Sequence, residues 1–212
     1  MNLILRRERT EVFHRVEELT REAFWNVHEP GCNEHFLAHV LRDSLDFIAE
    51  LDYVAELDGK PVGNIMYARS VILQPSGLPY PVLTFGPVSV LPSLQGKGIG
   101  SALITHTLEL ARQLGHAVVV IYGDPAYYAR FGFRAGEDFG IRTKDGWFNP
   151  ALQALELVPL ALKGISGSFV EADVYNLDTQ AAEQFDADFP PRTKEVTPSQ
   201  SRYLELLSQS HR

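Results

Sequence analysis

The run Gln95-Gly96-Lys97-Gly98-Ile99-Gly100-Ser101 has the residue types and spacing to grip an anion. Alternating glycines let backbone N–H groups turn toward one point and let an anion come close. Gln95 and Lys97 add side-chain donors. Apolar residues recur from Ile99 through Leu103 and Leu110, so a helix opens here, and its free N–H groups and positive dipole end favour negative charge. A diphosphate is the natural guest; the alternative is that the glycines only build a tight turn. Two other phosphate motifs are excluded. A nucleoside-triphosphate loop ends in Gly-Lys-Ser or Gly-Lys-Thr, whereas Lys97 is followed by Gly98. A dinucleotide fold places its glycines after the first strand of a βαβ unit, with an acidic residue on the next strand, and Ala117–Ile121 ends without one.

The surrounding pattern must hold this loop in place. Leu3–Leu5 reads as a short strand. Thr10 is the expected N-cap of an amphipathic helix over Glu11–Phe24, and Asn33 that of a second helix carrying Phe36, Leu37, Val40 and Leu41. Tyr53–Leu57 and Val62–Leu73 read as strands joined at Asp58-Gly59, a two-residue hairpin turn. Val82–Val90 is a strand interrupted at Gly86-Pro87, since Pro cannot donate to a ladder. Gly115 ends the helix that follows the loop. Ala117–Ile121 is apolar throughout, as suits a strand buried on both faces. Asp124 and Pro125 open a short helix ending at Gly132, and Leu152–Leu157 is one more strand. A soft boundary falls near Gly167, giving a domain over residues 1–167 and an extension over 168–212. In that extension Thr197 and Gln200 read as a capping box for a helix through Leu207, with Tyr203, Leu204 and Leu207 as apolar contacts.

Composition narrows the function classes. The 212 residues carry a formal net charge of −8, with 45% hydrophobic and 22% charged residues. Such an acidic surface repels phosphate backbones, so no nucleic-acid partner is expected. No apolar run is long enough to span a membrane, and the single cysteine, Cys32, allows no internal disulfide. A cytoplasmic protein, monomer or homodimer, is expected.

Val88-Ser89-Val90-Leu91-Pro92 followed by Gln95-Gly96-Lys97-Gly98-Ile99-Gly100 resembles the acetyl-CoA signature of the GNAT superfamily of N-acetyltransferases. Gly123-Asp124-Pro125-Ala126-Tyr127-Tyr128-Ala129-Arg130-Phe131-Gly132-Phe133 resembles its bacterial YhbS-like branch. The resemblance covers about Leu3 to Gly167. It implies an α/β fold: a mixed, mostly antiparallel central sheet flanked by helices and splayed between the fourth and fifth strands. It implies acetyl-CoA as cosubstrate, with the backbone of Val88, Ser89 and Val90 on the pantetheine arm and Gln95, Gly96, Lys97, Gly98, Ile99, Gly100 and Ser101 on the diphosphate. Tyr128 falls where the family places a tyrosine near the sulfur, and Ile121 where it often has an asparagine.

Acetyl transfer to an amine needs a neutral nitrogen, a held oxyanion and a proton for the leaving thiolate. Tyr128 can supply that proton, or it can simply pack its helix; the oxyanion donor is most simply the Val88 N–H. The activity implied is direct transfer from acetyl-CoA to a primary amine, on a small molecule or a peptide. The alternative is a non-catalytic acyl-CoA-binding or sensing protein. For the general base, Glu22, Glu29, His28 and Asp124 are candidates by position alone, with Asp124 equally a helix cap. His35 and His39 stand four apart beside Cys32, a spacing that can bind zinc, but a solvated face is the better reading and no metal is expected. His106 is expected as a hydrogen-bonded core histidine. Trp25, Trp147 and Phe148 could line an acceptor pocket or fill core.

Overall fold

The computed structural model describes residues 3–212, apart from the side chains of Tyr203 and Leu207, so their expected apolar contacts lie outside the described residues. The strands are β1 (Leu3–Arg7), β2 (Tyr53–Leu57), β3 (Lys60–Leu73), β4 (Pro79–Val90), β5 (Val118–Tyr122), β6 (Arg134–Ala135), β7 (Ile141–Arg142), β8 (Leu152–Glu156) and β9 (Gly167–Val170). The helices are α1 (Phe13–Phe24), α2 (Glu34–Leu41), α3 (Ile99–Gln113), α4 (Pro125–Tyr128), α5 (Thr179–Asp186) and α6 (Pro198–Ser208). Hydrogen bonding orders the strands β1-β2-β3-β4-β5-β8-β6, with β9 on β3 and β7. This is the mixed, mostly antiparallel sheet flanked by helices that the resemblance implies. The described residues include no helix long and apolar enough to cross a membrane. The chain forms two compact units, and β3, β4 and α3 contribute residues to each.

The first unit comprises residues 1–67, 86–107 and 173–201. β1 and β2 run antiparallel, as do β2 and β3. The hairpin turn forms as its sequence requires: Asp58 and Gly59 take φ of 51° and 77°, the left-handed pair of a tight primed turn. Neighbouring β3 residues show the two faces of the sheet. A Cβ at Gly63 would lie 3.3–3.4 Å from Leu103 and Ile99 of α3, while the Asn64 side chain meets Thr20 of α1. Adjacent residues point to opposite faces, so α3 and α1 flank the sheet on opposite sides. That same Cβ would stand 2.8 Å from the Ser89 carbonyl oxygen. Only glycine there lets the β4 backbone at Ser89 lie so close. Val16, Leu19 and Val54 form a small core beneath α1.

Thr10 does not cap α1. A 3₁₀ turn over Thr10–Val12 precedes the helix, and no side chain caps either. Asn33 stands at the N-cap of α2 but its amide donates to Glu29, while its own N–H is met by Glu34. Thr197 and Gln200 send their side chains to the carbonyl oxygen of Asn26, and Leu204 is exposed.

A buried charge network also belongs to this unit. Arg42 grips both oxygens of Glu8 at 2.9 Å and donates to Glu17 at 2.7 Å. Asp52, 5% exposed, lies beside Glu8. Burial first, then the Glu8 charge and a hydrogen bond to Glu8, push the Asp52 carboxyl well above the carboxylate range, so it is held neutral. With the folded pKa raised, folding takes up a proton. That contribution is complete below the unfolded value of about 3.9 and is lost as pH rises through the folded one. Asp52→Asn keeps the shape and cannot ionise, so it should flatten the loss of stability toward alkaline pH. Urea midpoints at about pH 6 and about pH 9 check this; equal slopes for variant and parent would refute the assignment.

The second unit comprises residues 68–85, 108–172 and 202–212. β5 pairs antiparallel with β8 along its whole length, and β6 adds to the far side of β8. β4 pairs with β5 in parallel at Leu83 and Val119, and among the described residues this is the one register pair between them. β4 itself continues to Val90 without a break, so the expected interruption at Gly86-Pro87 lies in the β4–β5 ladder rather than in the strand. Val118, Val120, Leu152, Phe169 and their neighbours fill the core. β9 pairs antiparallel with β3 and parallel with β7.

Candidate active site

In the first unit, β4 ends at Val90, a short 3₁₀ turn covers Pro92–Leu94, and α3 starts at Ile99. Gly96 and Gly98 take φ of 73° and 83°, conformations that disfavour any side chain, and a Cβ at either would meet nothing within 4 Å. The loop is thus shaped by its glycines and open on their Cβ side. The first bond of α3 runs from the Ala102 N–H to the Gly98 carbonyl at 2.9 Å. The N–H groups of Ile99, Gly100 and Ser101 precede it and form the unpaired mouth of the helix. Gln95 Nε2 donates to the Val90 carbonyl at 3.1 Å, and Lys97 Nζ to that of Ser93. These side chains brace the loop and are exposed.

Ser89 is buried, and its hydroxyl joins Thr20 and Asn64 in a polar cluster under α1. The Ser89 side chain is thus committed, whereas Val88 and Val90 are half-buried. Tyr175 Oη donates to the Gly86 carbonyl at 3.1 Å just upstream.

In the second unit, Asp124 caps α4 by accepting from the Ala126 N–H at 2.9 Å, as its sequence predicts. Arg202 also binds it at 3.2 Å and holds its carboxyl below the usual range. Gly123, at the end of β5, is fixed by two bonds of 2.8 Å: its N–H to the Ala151 carbonyl and its carbonyl from Gln153 Nε2. The Tyr128 ring lies directly over it; a Cβ at Gly123 would collide with that ring. Phe85 and Phe133 enclose the ring further, at centroid distances of 5.9 and 5.8 Å. Burial raises the Tyr128 phenol above its ordinary pKa, so the hydroxyl keeps its proton. Ile121 is buried in β5 and offers no polar contact.

The remaining candidates scatter. Glu22 is exposed near Arg15, Glu29 accepts from Asn33, and His28 pairs with Glu34. His106 is exposed and stands edge-on to Tyr53, contrary to the expected core histidine, because its position on α3 falls outside the stripe marked by Leu103 and Thr107. His35 and His39 turn to different carboxylates, Asp186 and Glu17. Trp25 is covered by Arg21 and donates to the Thr193 carbonyl. Sequence reasoning missed Asp186, which closes a buried group: Cys32 Sγ is 3.6 Å from His35 Nδ1, His35 Nε2 is 3.0 Å from Asp186, and Arg21 clasps the same carboxylate. The order resembles a thiol nucleophile with its base, yet burial, followed by the charges of Glu34 and Asp186, raises the thiol pKa and keeps it protonated. The one available signal was Asp178, a helix cap ahead of Thr179–Asp186.

Residues 50–135 match the model of the acetyltransferase (GNAT) domain. The chain is 31% identical over 132 residues to the uncharacterised N-acetyltransferase YhbS of Escherichia coli K12, covering 62% of this chain and 76% of that one. Its structure is similar to the crystal structure of Escherichia coli YhbS in complex with CoA, at a TM-score of 0.74 and 25% identity over 84% of this chain and 93% of that chain. A GNAT acetyltransferase of Brucella melitensis in complex with acetyl-CoA aligns at a TM-score of 0.66 and 29% identity over 82% and 98%. The open glycine loop at the mouth of a helix, the parallel pair that parts after Leu83 and these likenesses lead to one conclusion: the chain belongs to the GNAT family of acetyltransferases.

Proposed function

We propose that this acyltransferase moves an acetyl group from acetyl-CoA to a primary amine by direct attack. The observation that carries the reading is the Gln95–Ser101 loop, with N–H groups of Ile99, Gly100 and Ser101 unpaired by the helix and two left-handed glycines leaving room for a diphosphate. CoA and acetyl-CoA in the two similar crystal structures support it. In this reading the backbone of Val88, Ser89 and Val90 pairs with the pantetheine arm, and the Val88 N–H holds the oxyanion. The neutral amine attacks the thioester carbonyl. The tetrahedral intermediate collapses, the C–S bond breaks, Tyr128 gives its proton to the departing thiolate, and the proton released by the acylated nitrogen returns through water to the Tyr128 phenolate. Amine and thiolate therefore end as amide and free thiol, with no enzyme-bound acyl group; the protonated state of Cys32 supports that direct route. Residues 1–167 carry the transfer machinery and residues 168–212 an extension.

The test is a turnover screen of acetyl-CoA across amine classes, reading free thiol. The reading requires amine-dependent thiol release. CoA binding with no release by any amine would favour the non-catalytic acyl-CoA sensor instead.

A further inference from the structure

The second unit holds a cavity of about 530 Å³ lined by Tyr122, Thr143, Asp145, Trp147, Asn149 and Ser210. Its polar groups are mostly committed. Asn149 donates to Ser210 and to the Leu206 carbonyl and accepts from the Ala151 N–H, and the Thr143 hydroxyl accepts from the Trp147 N–H. Among the described residues Asp145 makes no hydrogen bond or ion pair, and its carboxylate is exposed to the cavity. Tyr122 and Trp147 supply ring faces. One cation already uses such a face: the Arg212 guanidinium lies 4.9 Å from the Trp147 ring centroid. A second carboxylate, Glu171, and Asp145 are both close enough to Tyr122 to disfavour its phenolate, after burial. Aromatic faces beside carboxylates attract ammonium and guanidinium groups, and more strongly where water is partly excluded. Tyr122 directly precedes Gly123, on which the Tyr128 ring rests, so the cavity and the proposed acid flank the end of β5 from opposite faces within the same unit.

We propose that this cavity holds a cationic group of the acceptor, borne at a distance from the reacting nitrogen, so that the acceptor is a diamine or a similar amine carrying a second positive centre. The inference rests on the acetyltransferase reading above. Its chemistry follows from a division of labour: the reacting nitrogen must be neutral to attack, whereas the nitrogen on Trp147 and Asp145 keeps its charge. Arg212 occupies the ring as such a group would. Burial raises the Glu171 carboxyl to about 7, so a bound cation would draw it toward its ionised form and strengthen the site.

Two arms test it. Calorimetry on the full chain compares choline with its neutral isostere 3,3-dimethylbutan-1-ol, and turnover compares 1,5-diaminopentane with pentan-1-amine. Choline should bind at least about tenfold tighter than the alcohol, in keeping with a cation–π site. The diamine should exceed the monoamine by a similar factor in kcat/KM. Trp147→Ala and Asp145→Asn should each erase these preferences and leave CoA affinity unchanged; the second variant removes only a charge, so misfolding cannot account for both. Equal binding of choline and the alcohol, a preference that survives both variants, or choline binding without a diamine preference would overturn the proposal. CoA binding in the same samples separates the two failures, since its loss in the parent protein would sink the acetyltransferase reading itself.

Discussion

Tyr128→Phe is expected to lower kcat by about a hundredfold or more while CoA affinity stays within about twofold, the range for losing a positioned general acid. The expectation follows from what the hydroxyl can do. Its phenol is kept protonated by burial among Phe85, Phe133 and Tyr127, so it can give a proton but is poorly suited to accept one. Phenylalanine keeps every ring contact, which separates the proton from the packing. Gly123→Ala is the companion. It keeps the hydroxyl, but its methyl would collide with the ring, and the bonds to the Ala151 carbonyl and from Gln153 Nε2 hold the Gly123 backbone still. The ring must therefore move, and kcat should fall with CoA affinity retained. Steady-state kinetics with a thiol reagent, beside calorimetry with CoA, measures both. Full activity in Tyr128→Phe would remove the tyrosine from the chemistry and leave it as packing for α4.

Gly98→Val should raise the CoA Kd by about a hundredfold, or about 2.7 kcal/mol. At φ of 83° a β-branched residue costs about 1–3 kcal/mol of local strain, which the loop can relieve only by turning its amides away from their common focus. The side chain would also project into the space a diphosphate needs. Nothing lies within 4 Å of the added Cβ, so the surrounding fold is not jammed and the loss should fall on binding. A drop in melting temperature with unchanged CoA affinity would show instead that the glycine serves only the turn.

The sequence is most legible where local chemistry decides conformation. Asp58-Gly59 turns as its residue types require, Asp124 caps α4, and Gly115 and Gly132 take the left-handed φ of helix stops at 87° and 91°. The backbone of the loop proposed to hold the diphosphate is legible for the same reason: Gly96 and Gly98 take positive φ through their own lack of a side chain. What stayed hidden depends on partners distant in the chain. β6 and β7 have two residues each, too few to show a period, and exist because β8 and β9 pair with them. Gly167 reads as a boundary but begins β9, which β3 and β7 recruit. Thr10 and Asn33 have the right side chains for caps, yet a 3₁₀ turn and Glu29 claim their places. Asp186 reaches the Cys32–His35 pair from far along the chain, and the cavity at Tyr122 draws on residues from 122 to 210. Neither juxtaposition has a local signal.

Calorimetric titration with CoA and with pantetheine, which keeps the thiol arm but lacks the diphosphate, tests most directly whether the helix mouth at Gln95–Ser101 grips a diphosphate. CoA should bind at least about a hundredfold tighter than pantetheine, as expected when several charge-assisted hydrogen bonds of about 1.5–3 kcal/mol each are lost, and Gly98→Val should abolish that advantage. Equal affinities for the two ligands would contradict it.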